Sequence, residues 1–393
     1  MKSDSIAIVS PRFPEGATAG GAETLLRSLA ERLALHGRHV TFLATCAKNH
    51  FTWHNELAPG RTRCGAFDVV RFPVDENRDE DLFHRVQSTI SRGAAISADE
   101  EQLWLRNSVH STALCDFLRS DRSAFDCVIT GPYLFGLVDA VSRVYPDRTL
   151  LIPCLHDEPF AYLGVTRELF SRVRGYFFNS EPERDLALRL MKTISQPGPV
   201  VGMGMEPFQA DPAAFAQRHR LSQPYVLYSG RREEGKGTPL LLSYLDVFRL
   251  RTKRDVKLVL TGSGDIQPPP SLARHILDVG FVSESEKHEA MAGATAFIHP
   301  STFESLGIVI LESFLAQTPA LVHAGSAVLQ WQCRRSGAGL WFRNYPEFEE
   351  ELVALLDQAD LRRQMGENGR RYVLAEYGWE AVDRRLLAAL REA

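Results

Sequence analysis

Short apolar runs alternate with longer amphipathic stretches from one end of this 393-residue chain to the other. The runs are rich in valine, isoleucine and leucine, and the stretches between them have the apolar spacing of helices, as in residues 22–35. Strands buried on both faces need nearly continuous apolar runs, and parallel neighbours need a helical crossover. The pattern therefore predicts the α/β class, with doubly wound parallel sheets flanked by helices.

The 393 residues correspond to two or three domains at roughly 150 residues each. Residues 195–207 concentrate proline and glycine, which periodic elements cannot cross, so a hinge is predicted there between two doubly wound halves. Two such sheets facing each other place the carboxyl ends of their strands, and any ligand, along a shared cleft. The predicted strands are residues 6–10, 40–45, 69–72, 127–130, 149–155 and 176–178, then 225–229, 256–261, 296–299 and 320–323.

Composition excludes several classes of protein. No apolar run approaches the roughly 18 residues that would span a bilayer, and the N-terminus has the pattern of a first strand rather than a secretory signal. The net charge is −4 with basic and acidic residues interspersed, so no nucleic-acid partner is expected. The six cysteines have no paired spacing, which favours reduced thiols in a cytoplasmic protein over disulfides or structural zinc.

Two acids eight positions apart are the main candidates for ligand binding. Glu304 comes just after a predicted strand, and Glu312 lies inside the following helix. At about 1.5 Å per helical residue their separation is of the order of 12 Å, which suits a ligand with hydroxyls at both ends. The helix start at Ser305, Leu306, Gly307 and Ile308 offers backbone N–H groups to an anion between them. The alternative is two solvated acids, but Glu312 lies in an apolar run and needs a partner, for which a ribose diol is suitable.

Arg231 and Lys236 follow the first strand of the second half. Arg231 leaves the strand end and Lys236 stands at the start of the next helix, so both can reach one crevice and hold a departing diphosphate. The alternative is a pair of ordinary surface bases, as is expected of Arg232. Because Lys236 is expected to be solvated and a solvated lysine contributes little to stability, Lys236→Ala should lower turnover far more than fold stability.

Four further segments follow predicted strands or open helices. Gly262-Ser263-Gly264 is a tight turn compatible with a nucleotide, and the backbone before the helix start at Ser283, including Val282, can meet a base edge. Gly20 and Gly21 open a helix whose amides can face an anion, although helices also begin with glycine for structural reasons. His156 follows the predicted strand 149–155, which favours a functional over a structural histidine.

The pair Asp79-x-Asp81 superficially offers carboxylates for a metal-bound diphosphate. It is interrupted by Arg78 and far from the other motifs in sequence, so a solvated loop is the better interpretation. We expect no catalytic metal and no cofactor. A dehydrogenase, another doubly wound class, lacks its G-x-G-x-x-G fingerprint after either first strand.

The ordered set of motifs resembles the retaining glycosyltransferases of family 4, and further segments resemble a bacterial subgroup of it. This resemblance implies the GT-B fold of two facing Rossmann-like domains with the active site in the cleft between them. It places an acceptor-side domain at 1–200, a donor-binding domain at 201–371 and a helix that crosses back at 372–393. The motifs that carry it are Gly20-Gly21-Ala22-Glu23, His156-Asp157, Gly230-Arg231 to Lys236-Gly237, Gly262-Ser263-Gly264, Gly280-Phe281-Val282, and Pro300-Ser301 to Glu304 and Glu312.

The resemblance also implies roles for the site residues. Arg231 and Lys236 stabilise the donor diphosphate, Glu304 contacts sugar hydroxyls, Glu312 binds the ribose, and His156 lies beside the transferred sugar. Retention is usually described for this family as front-face displacement, in which the leaving phosphate helps to deprotonate the acceptor. The commoner pattern has Glu-Gly-Phe-Gly where this chain has Glu304-Ser305-Leu306-Gly307, so contacts to the donor sugar are expected to differ.

The expected function is transfer of a hexose from a nucleotide-diphosphate sugar, with UDP-glucose favoured, to a glycan, glycolipid or small-molecule acceptor. A GDP-mannose-dependent mannosyltransferase and a non-catalytic nucleotide-sugar binding protein are the alternatives. A cytoplasmic location is expected, and peripheral contact with the inner membrane surface stays open.

Overall fold

The structure is a computed structural model and describes residues 5–14, 20–50, 52–192, 194 and 197–392. Residues 195 and 196 of the predicted hinge lie outside the described part of the chain. The chain divides into two compact units, the first formed by Met1–Met203 with Val382–Ala393 and the second by Gly204–Ala381.

The first unit is built on a seven-stranded sheet in the order β3-β4-β2-β1-β5-β6-β7. All pairs are parallel except β3 with β4. The strands are β1 (Ser5–Val9), β2 (His39–Thr45), β3 (Gly60–Cys64), β4 (Phe67–Phe72), β5 (Cys127–Thr130), β6 (Thr149–Leu151) and β7 (Gly175–Tyr176). The helices are α1 (Gly21–Leu35), α2 (Glu80–Ser91), α3 (Ala98–Asn107), α4 (Thr112–Ser120), α5 (Gly136–Val144), α6 (Gly164–Arg172) and α7 (Glu181–Leu190).

The second unit is built on a six-stranded, all-parallel sheet in the order β10-β9-β8-β11-β12-β13. The strands are β8 (Tyr225–Ser229), β9 (Lys257–Thr261), β10 (Ile276–Gly280), β11 (Ala296–His299), β12 (Ala320–His323) and β13 (Gly339–Phe342). The helices are α8 (Pro212–Arg218), α9 (Thr238–Thr252), α10 (Pro270–Ala273), α11 (Glu284–Ala292), α12 (Ile308–Leu315), α13 (Ala327–Ser336), α14 (Tyr345–Asp357) and α15 (Ala359–Glu376). The α/β class is therefore confirmed, with two doubly wound sheets.

The last helix, α16 (Trp379–Glu392), runs from the second unit into the first, which it joins at Val382. Within the first unit, Arg32 Nε donates to Asp383 Oδ1 at 3.0 Å, and Arg385 Nε donates to the carbonyl oxygen of Val201 at 3.1 Å. These charged contacts attach the C-terminal helix to α1 and to the end of the first unit's main segment.

The apolar runs form the cores, as their sequence predicts. In the second unit every residue of β8 is buried, and α9 and α14 cover the sheet with large side chains that include Phe248 and Phe348. Phe248 and Phe348 pack edge to face, with ring centroids 6.4 Å apart. A sheet fixed between packed helices holds the loops at its strand ends in defined positions.

Four strands differ from the sequence prediction. The edge strand β3 is charged and exposed, so it lacks the apolar signal, and the peripheral strands β10 and β13 are only partly buried. The predicted strand 149–155 was too long, because β6 ends at Leu151. Pro153 has no N–H to donate and Cys154 has a positive φ of 51°, so the chain leaves the ladder there.

Candidate functional site in the second unit and its counterpart residues

The loops after β8 and β11 bring Lys236 and Glu304 together. Lys236 ends the 3-10 turn Glu234–Lys236, and the next residue, Gly237, has a φ of 71°. A Cβ at Gly237 would lie 2.7 Å from the carbonyl oxygen of Pro300, so only glycine allows the two loops to approach this closely. At this approach, Lys236 Nζ lies 2.7 Å from Glu304 Oε1.

His299, the last residue of β11, completes this cluster. Its Nε2 lies 3.0 Å from the same Glu304 Oε1. Burial opposes ionisation of Glu304, but Lys236 and His299 outweigh it and hold the pKa of that carboxyl well below its usual range. The expectation of a freely solvated Lys236 is therefore wrong, since its side chain is only 24% exposed and is ion-paired with Glu304. Sequence reasoning missed His299 because it ends an apolar strand and belongs to no motif.

Arg231 remains at the surface of the same loop. Its side chain is 48% exposed, and a guanidinium nitrogen lies 3.5 Å from Glu233 Oε1. A half-exposed guanidinium beside an exposed acid can change partner at little cost when an anion arrives. Arg231 thus keeps the predicted position at the end of β8.

Arg232 is the residue that sequence reasoning misjudged most. It was expected to be a surface base, but its side chain is only 4% exposed. It donates to both Asp278 oxygens at 2.6 and 2.9 Å, and to the carbonyl oxygens of Gly262 at 3.1 Å and Gly264 at 2.7 Å. One planar guanidinium with five donors therefore ties together the ends of β8, β9 and β10.

The turn Gly262-Ser263-Gly264 needs both of its glycines. Gly262 has a φ of 109° and Gly264 a φ of 105°. A Cβ at Gly262 would lie 2.2 Å from the Gly230 carbonyl oxygen, and one at Gly264 would lie 2.8 Å from that of Arg232. Ser263 accepts a hydrogen bond at its carbonyl from the Arg232 N–H at 2.8 Å. The turn is therefore packed backbone to backbone against the loop that carries Arg231 and Lys236.

Gly307 begins α12 as its N-cap, with a φ of 80°. Ile308 is the first helical residue, so the N–H groups of Ile308 and Val309 have no partners inside the helix itself, whereas the Ile310 N–H donates to the Gly307 carbonyl at 3.1 Å. The side chain of Leu306 is buried rather than exposed toward a ligand, and its carbonyl accepts from Gln332 Nε2 at 3.1 Å. Packing therefore removes the Leu306 side chain from solvent, and the expected difference in contacts to the donor sugar stays a prediction. Ser305, its half-buried neighbour, lies in the same loop.

Glu312 finds its partner in Lys287, one turn into α11. Lys287 Nζ lies 2.9 Å from Glu312 Oε1 and 2.8 Å from Glu284 Oε2. Burial raises the pKa of Glu312, and Lys287 opposes that effect. The argument that this carboxylate needs a partner is correct, although an ammonium supplies it. Glu312 Oε2 is buried and makes no hydrogen bond within the described structure, so it can still accept one.

Lys287 also bears on whether a metal can bind here. Ligand atoms of Glu284, His288 and Glu312 lie within 4.8 Å of one another. The Lys287 ammonium is bound by both acids, so it already supplies the positive charge that a cation would bring. His288 stacks on Phe208 with ring centroids 3.5 Å apart. The donor set therefore fits an ion-paired lysine better than a metal ion.

Val282 is half-buried in the link between β10 and α11. The predicted helix start is confirmed, because Ser283 Oγ accepts from the Glu286 N–H at 3.2 Å. The Glu286 carboxylate pairs with His219 Nε2 at 3.0 Å instead of completing a capping box. Phe281, the residue before Val282, is 60% exposed.

The remaining predicted residues, His156, Gly20 and Gly21, belong to the first unit. His156 comes five residues after the end of β6, not directly at a strand end. Its Nδ1 lies 3.3 Å from Glu158 Oε1. The segment before it is braced by Glu183, whose Oε1 accepts from the Leu155 N–H at 2.7 Å.

The helix start at Gly20 and Gly21 is confirmed, but its first amide is already used. The Gly20 N–H donates to Glu23 Oε2 at 2.6 Å, and Arg12 donates to both oxygens of that carboxylate. The helix's own acid therefore occupies the Gly20 amide, and the anion site predicted at this helix start stays a prediction. Gly21 is the first helical residue.

The pair Asp79-x-Asp81 has a structural role. Asp79 is the N-cap of α2, and its Oδ1 accepts from the Leu82 N–H at 2.8 Å. Asp81 lies in the first turn of the same helix, where a negative charge is favourable.

Comparison with known proteins finds a related family for the second unit. The sequence model of the family "Glycosyl transferases group 1" matches residues 211–372, which lie in the second unit. The chain is 28% identical over 195 residues to an alpha-D-kanosaminyltransferase of Streptomyces kanamyceticus, covering 47% of this chain and 50% of the relative. It is 27% identical over 208 residues to a GDP-mannose-dependent alpha-(1-6)-phosphatidylinositol monomannoside mannosyltransferase of Mycobacterium tuberculosis, covering 48% and 54%. The chain thus spans about half the length of these curated relatives.

A solved structure extends the likeness to the whole chain. The trehalose-6-phosphate protein from E. coli bound with UDP-2-fluoro glucose superposes with a TM-score of 0.73 at 13% identity, covering 99% of both chains. That similarity shows a shared fold. No helix in the described part of the chain has the length and hydropathy needed to cross a membrane. The chain therefore has the GT-B fold, and its second unit resembles the glycosyltransferases of group 1 over residues 211–372.

Proposed function

We propose that this protein is a retaining glycosyltransferase that moves a hexose from a nucleotide-diphosphate sugar, preferably UDP-glucose, to a glycan, glycolipid or small-molecule acceptor. The observation that carries the proposal is the cluster of Lys236, Glu304 and His299 at the ends of β8 and β11. It combines a cation for a diphosphate with a carboxylate for sugar hydroxyls at one edge of the sheet. The UDP-2-fluoro glucose bound by the E. coli structural relative supports the choice of donor.

The cluster suggests how donor binding works. When a diphosphate approaches Arg231 and Lys236, its phosphate oxygens replace the carboxylates that these two side chains contact. The new charge-assisted hydrogen bonds are stronger than the contacts that they replace. Lys236 then shares its charge between the diphosphate and Glu304, and Glu304 accepts hydrogen bonds from sugar hydroxyls. The unpartnered Glu312 Oε2 accepts one from the ribose, while Lys287 stays paired with Oε1 of the same carboxyl group.

Chemistry then needs little from the protein beyond positioning and electrostatics. The bond from the anomeric carbon to the phosphate oxygen breaks, and the acceptor oxygen forms its bond on the same face. The acceptor proton passes to the departing phosphate oxygen, so no protein nucleophile is required. Arg231 and Lys236 stabilise the charge that develops on the leaving diphosphate. In this proposal His156 lies beside the transferred sugar, and the reaction needs no catalytic metal.

Calorimetric titration with UDP, GDP and ADP tests the donor site. We expect UDP to bind, and Lys236→Met to weaken that binding at least tenfold, because a charge-assisted hydrogen bond contributes about 1.5–3 kcal/mol. Lys253→Met is the matched control, since Lys253 is exposed and precedes β9 at the opposite edge of the sheet. Failure of all three nucleotides to bind would refute the proposal.

The same titration separates the alternatives. Tighter binding of GDP than UDP would favour a GDP-mannose donor, the donor named for the mycobacterial relative. Transfer itself is tested by incubating UDP-glucose with simple acceptors and following release of UDP. Binding without either transfer or hydrolysis would favour a nucleotide-sugar binding protein. Retention is checked by the anomeric proton coupling of the product.

A further inference from the structure

A cavity of 460 Å³ lies within the first unit, next to the segment that carries His156. One wall is the connection between α2 and α3, which includes Ala95, and the other is the segment that runs from Asp157 to Leu163. Its volume lies within the range of roughly 300–1,000 Å³ that is typical of small-molecule sites. It can hold a ligand of one or two sugar rings.

The charged side chains that line the cavity are all acidic. Three carboxylates, those of Glu101, Asp157 and Glu158, line the cavity, and none of its described lining residues is basic. Arg189, which pairs with Asp157 Oδ2 at 2.7 Å, is 63% exposed and lies outside the lining. Arg189 compensates Asp157, but Glu101 and Glu158 add further negative charge, so a phosphate in this cavity would meet net like charge, whereas an ammonium or a hydroxyl would meet acceptors.

The carboxylates are held in place by polar contacts. Asp157 Oδ1 accepts from the Tyr162 hydroxyl at 2.6 Å, and Tyr162 itself lines the cavity. Glu101 Oε2 accepts from the Val165 N–H at 3.0 Å. Acids fixed by such bonds present a defined arrangement of acceptors, at little further entropic cost on ligand binding.

Glu158 joins the cavity to His156. Its Oε1 lies 3.3 Å from His156 Nδ1 and accepts from the Tyr133 hydroxyl at 3.0 Å. One carboxylate thus contacts the histidine and also lines the cavity. A ligand in the cavity is therefore near the residue that the proposed function places beside the transferred sugar.

We propose that this cavity binds the acceptor, and that the acceptor is a small polyhydroxylated molecule that carries an amine. This inference rests on the proposed function for the identity of the reaction, and on the cavity's charge for the class of ligand. The carboxylates of the cavity bind the ammonium group and the hydroxyls, and they exclude phosphorylated acceptors. The negatively charged donor is bound by Arg231 and Lys236 of the second unit.

Ligand-observed NMR with three matched cyclitols tests this proposal. The probes are an inosamine, myo-inositol and myo-inositol 1-phosphate, which share a ring and differ in charge. We expect the inosamine to bind at least tenfold more tightly than the phosphate, with myo-inositol between them. Glu101→Gln keeps an acceptor for the Val165 N–H but removes one charge, so it should reduce that preference severalfold.

A substitution that fills the cavity provides the second measurement. Ala95 is exposed on the cavity wall, so Ala95→Trp should occlude the space without disturbing the core and weaken inosamine binding at least tenfold. Ala66→Trp, in the exposed turn between β3 and β4, is the control of equal size and should leave binding unchanged. Unchanged inosamine affinity in Ala95→Trp, tighter binding of the phosphate, or no binding of any cyclitol would overturn the proposal.

Titration of the same samples with UDP and GDP keeps the two proposals apart. If a nucleotide binds but no cyclitol does, the cavity proposal fails and the proposed function stands. If the inosamine binds but no nucleotide does, the proposed function fails and the cavity still selects an amine-bearing ligand.

Discussion

The ion pair between Lys236 and Glu304 makes a quantitative prediction about stability as well as activity. Removing one member of a fully buried pair costs about 3–5 kcal/mol, because the other charge is left uncompensated. Here the side chains are 24% and 14% exposed, and His299 keeps one bond to Glu304. We therefore expect Lys236→Met to lower the free energy of unfolding of the second unit by about 2–3 kcal/mol.

Variants of Glu304 separate the energy of the ion pair from that of the other contacts of the two side chains. Glu304→Gln should cost less, about 1 kcal/mol, because Lys236 can still reach water. The double variant should then be about 1.5–2 kcal/mol more stable than the sum of the single effects predicts. Hydrogen exchange of the β8 and β11 amides, followed in urea, reports the second unit separately from the first.

The pH dependence gives an independent check. The pKa of Glu304 is lowered in the folded state, so its contribution to stability is present above its unfolded pKa and is lost as pH falls through the folded value. The coupling between the two variants should therefore disappear in acid. A Lys236→Met protein that loses turnover with no loss of second-unit stability would refute the reasoning from the ion pair.

Three further predictions concern the scaffold of each unit. Arg232→Ala should destabilise the second unit by about 2–3 kcal/mol through loss of its buried contacts, and Arg231→Ala by less than about 0.5 kcal/mol, because Arg231 is half-exposed; equal shifts of the urea midpoint would contradict this. Gly307→Ala should lower the free energy of unfolding by about 1–2 kcal/mol, because a φ of 80° is strained for alanine and the new Cβ would meet Leu329. An unchanged melting temperature would argue against that strain. Burial raises the pKa of Glu183 to about 8, with backbone N–H donors opposing it. Its stabilisation is therefore present below the unfolded pKa and lost as pH rises through about 8, so first-unit stability should fall between pH 5 and 8, and Glu183→Gln should abolish that slope in a urea titration.

Part of the candidate site could be predicted because its signals are local. Strand ends, tight turns and helix starts depend on residues close together in sequence, and this suffices to place Lys236 after β8 and Glu304 after β11. The length of β6 was overestimated because the apolar run continues past Leu151. The positive φ at Cys154 is set by packing, which hydrophobic periodicity does not report.

By itself, the sequence determined the α/β class, the two series of strands and the glycine-rich loops that face the sheet ends. Only the tertiary structure decided which charged side chains pair with one another. Lys236 and Glu304 are 68 positions apart, Arg232 and Asp278 are 46 apart, and Lys287 and Glu312 are 25 apart. These pairs depend on the order of strands in the sheet and on which helices pack side by side, so no local pattern encodes them. A buried charge shows in sequence only that it needs a partner, and the fold supplies one from whichever strand lies next to it.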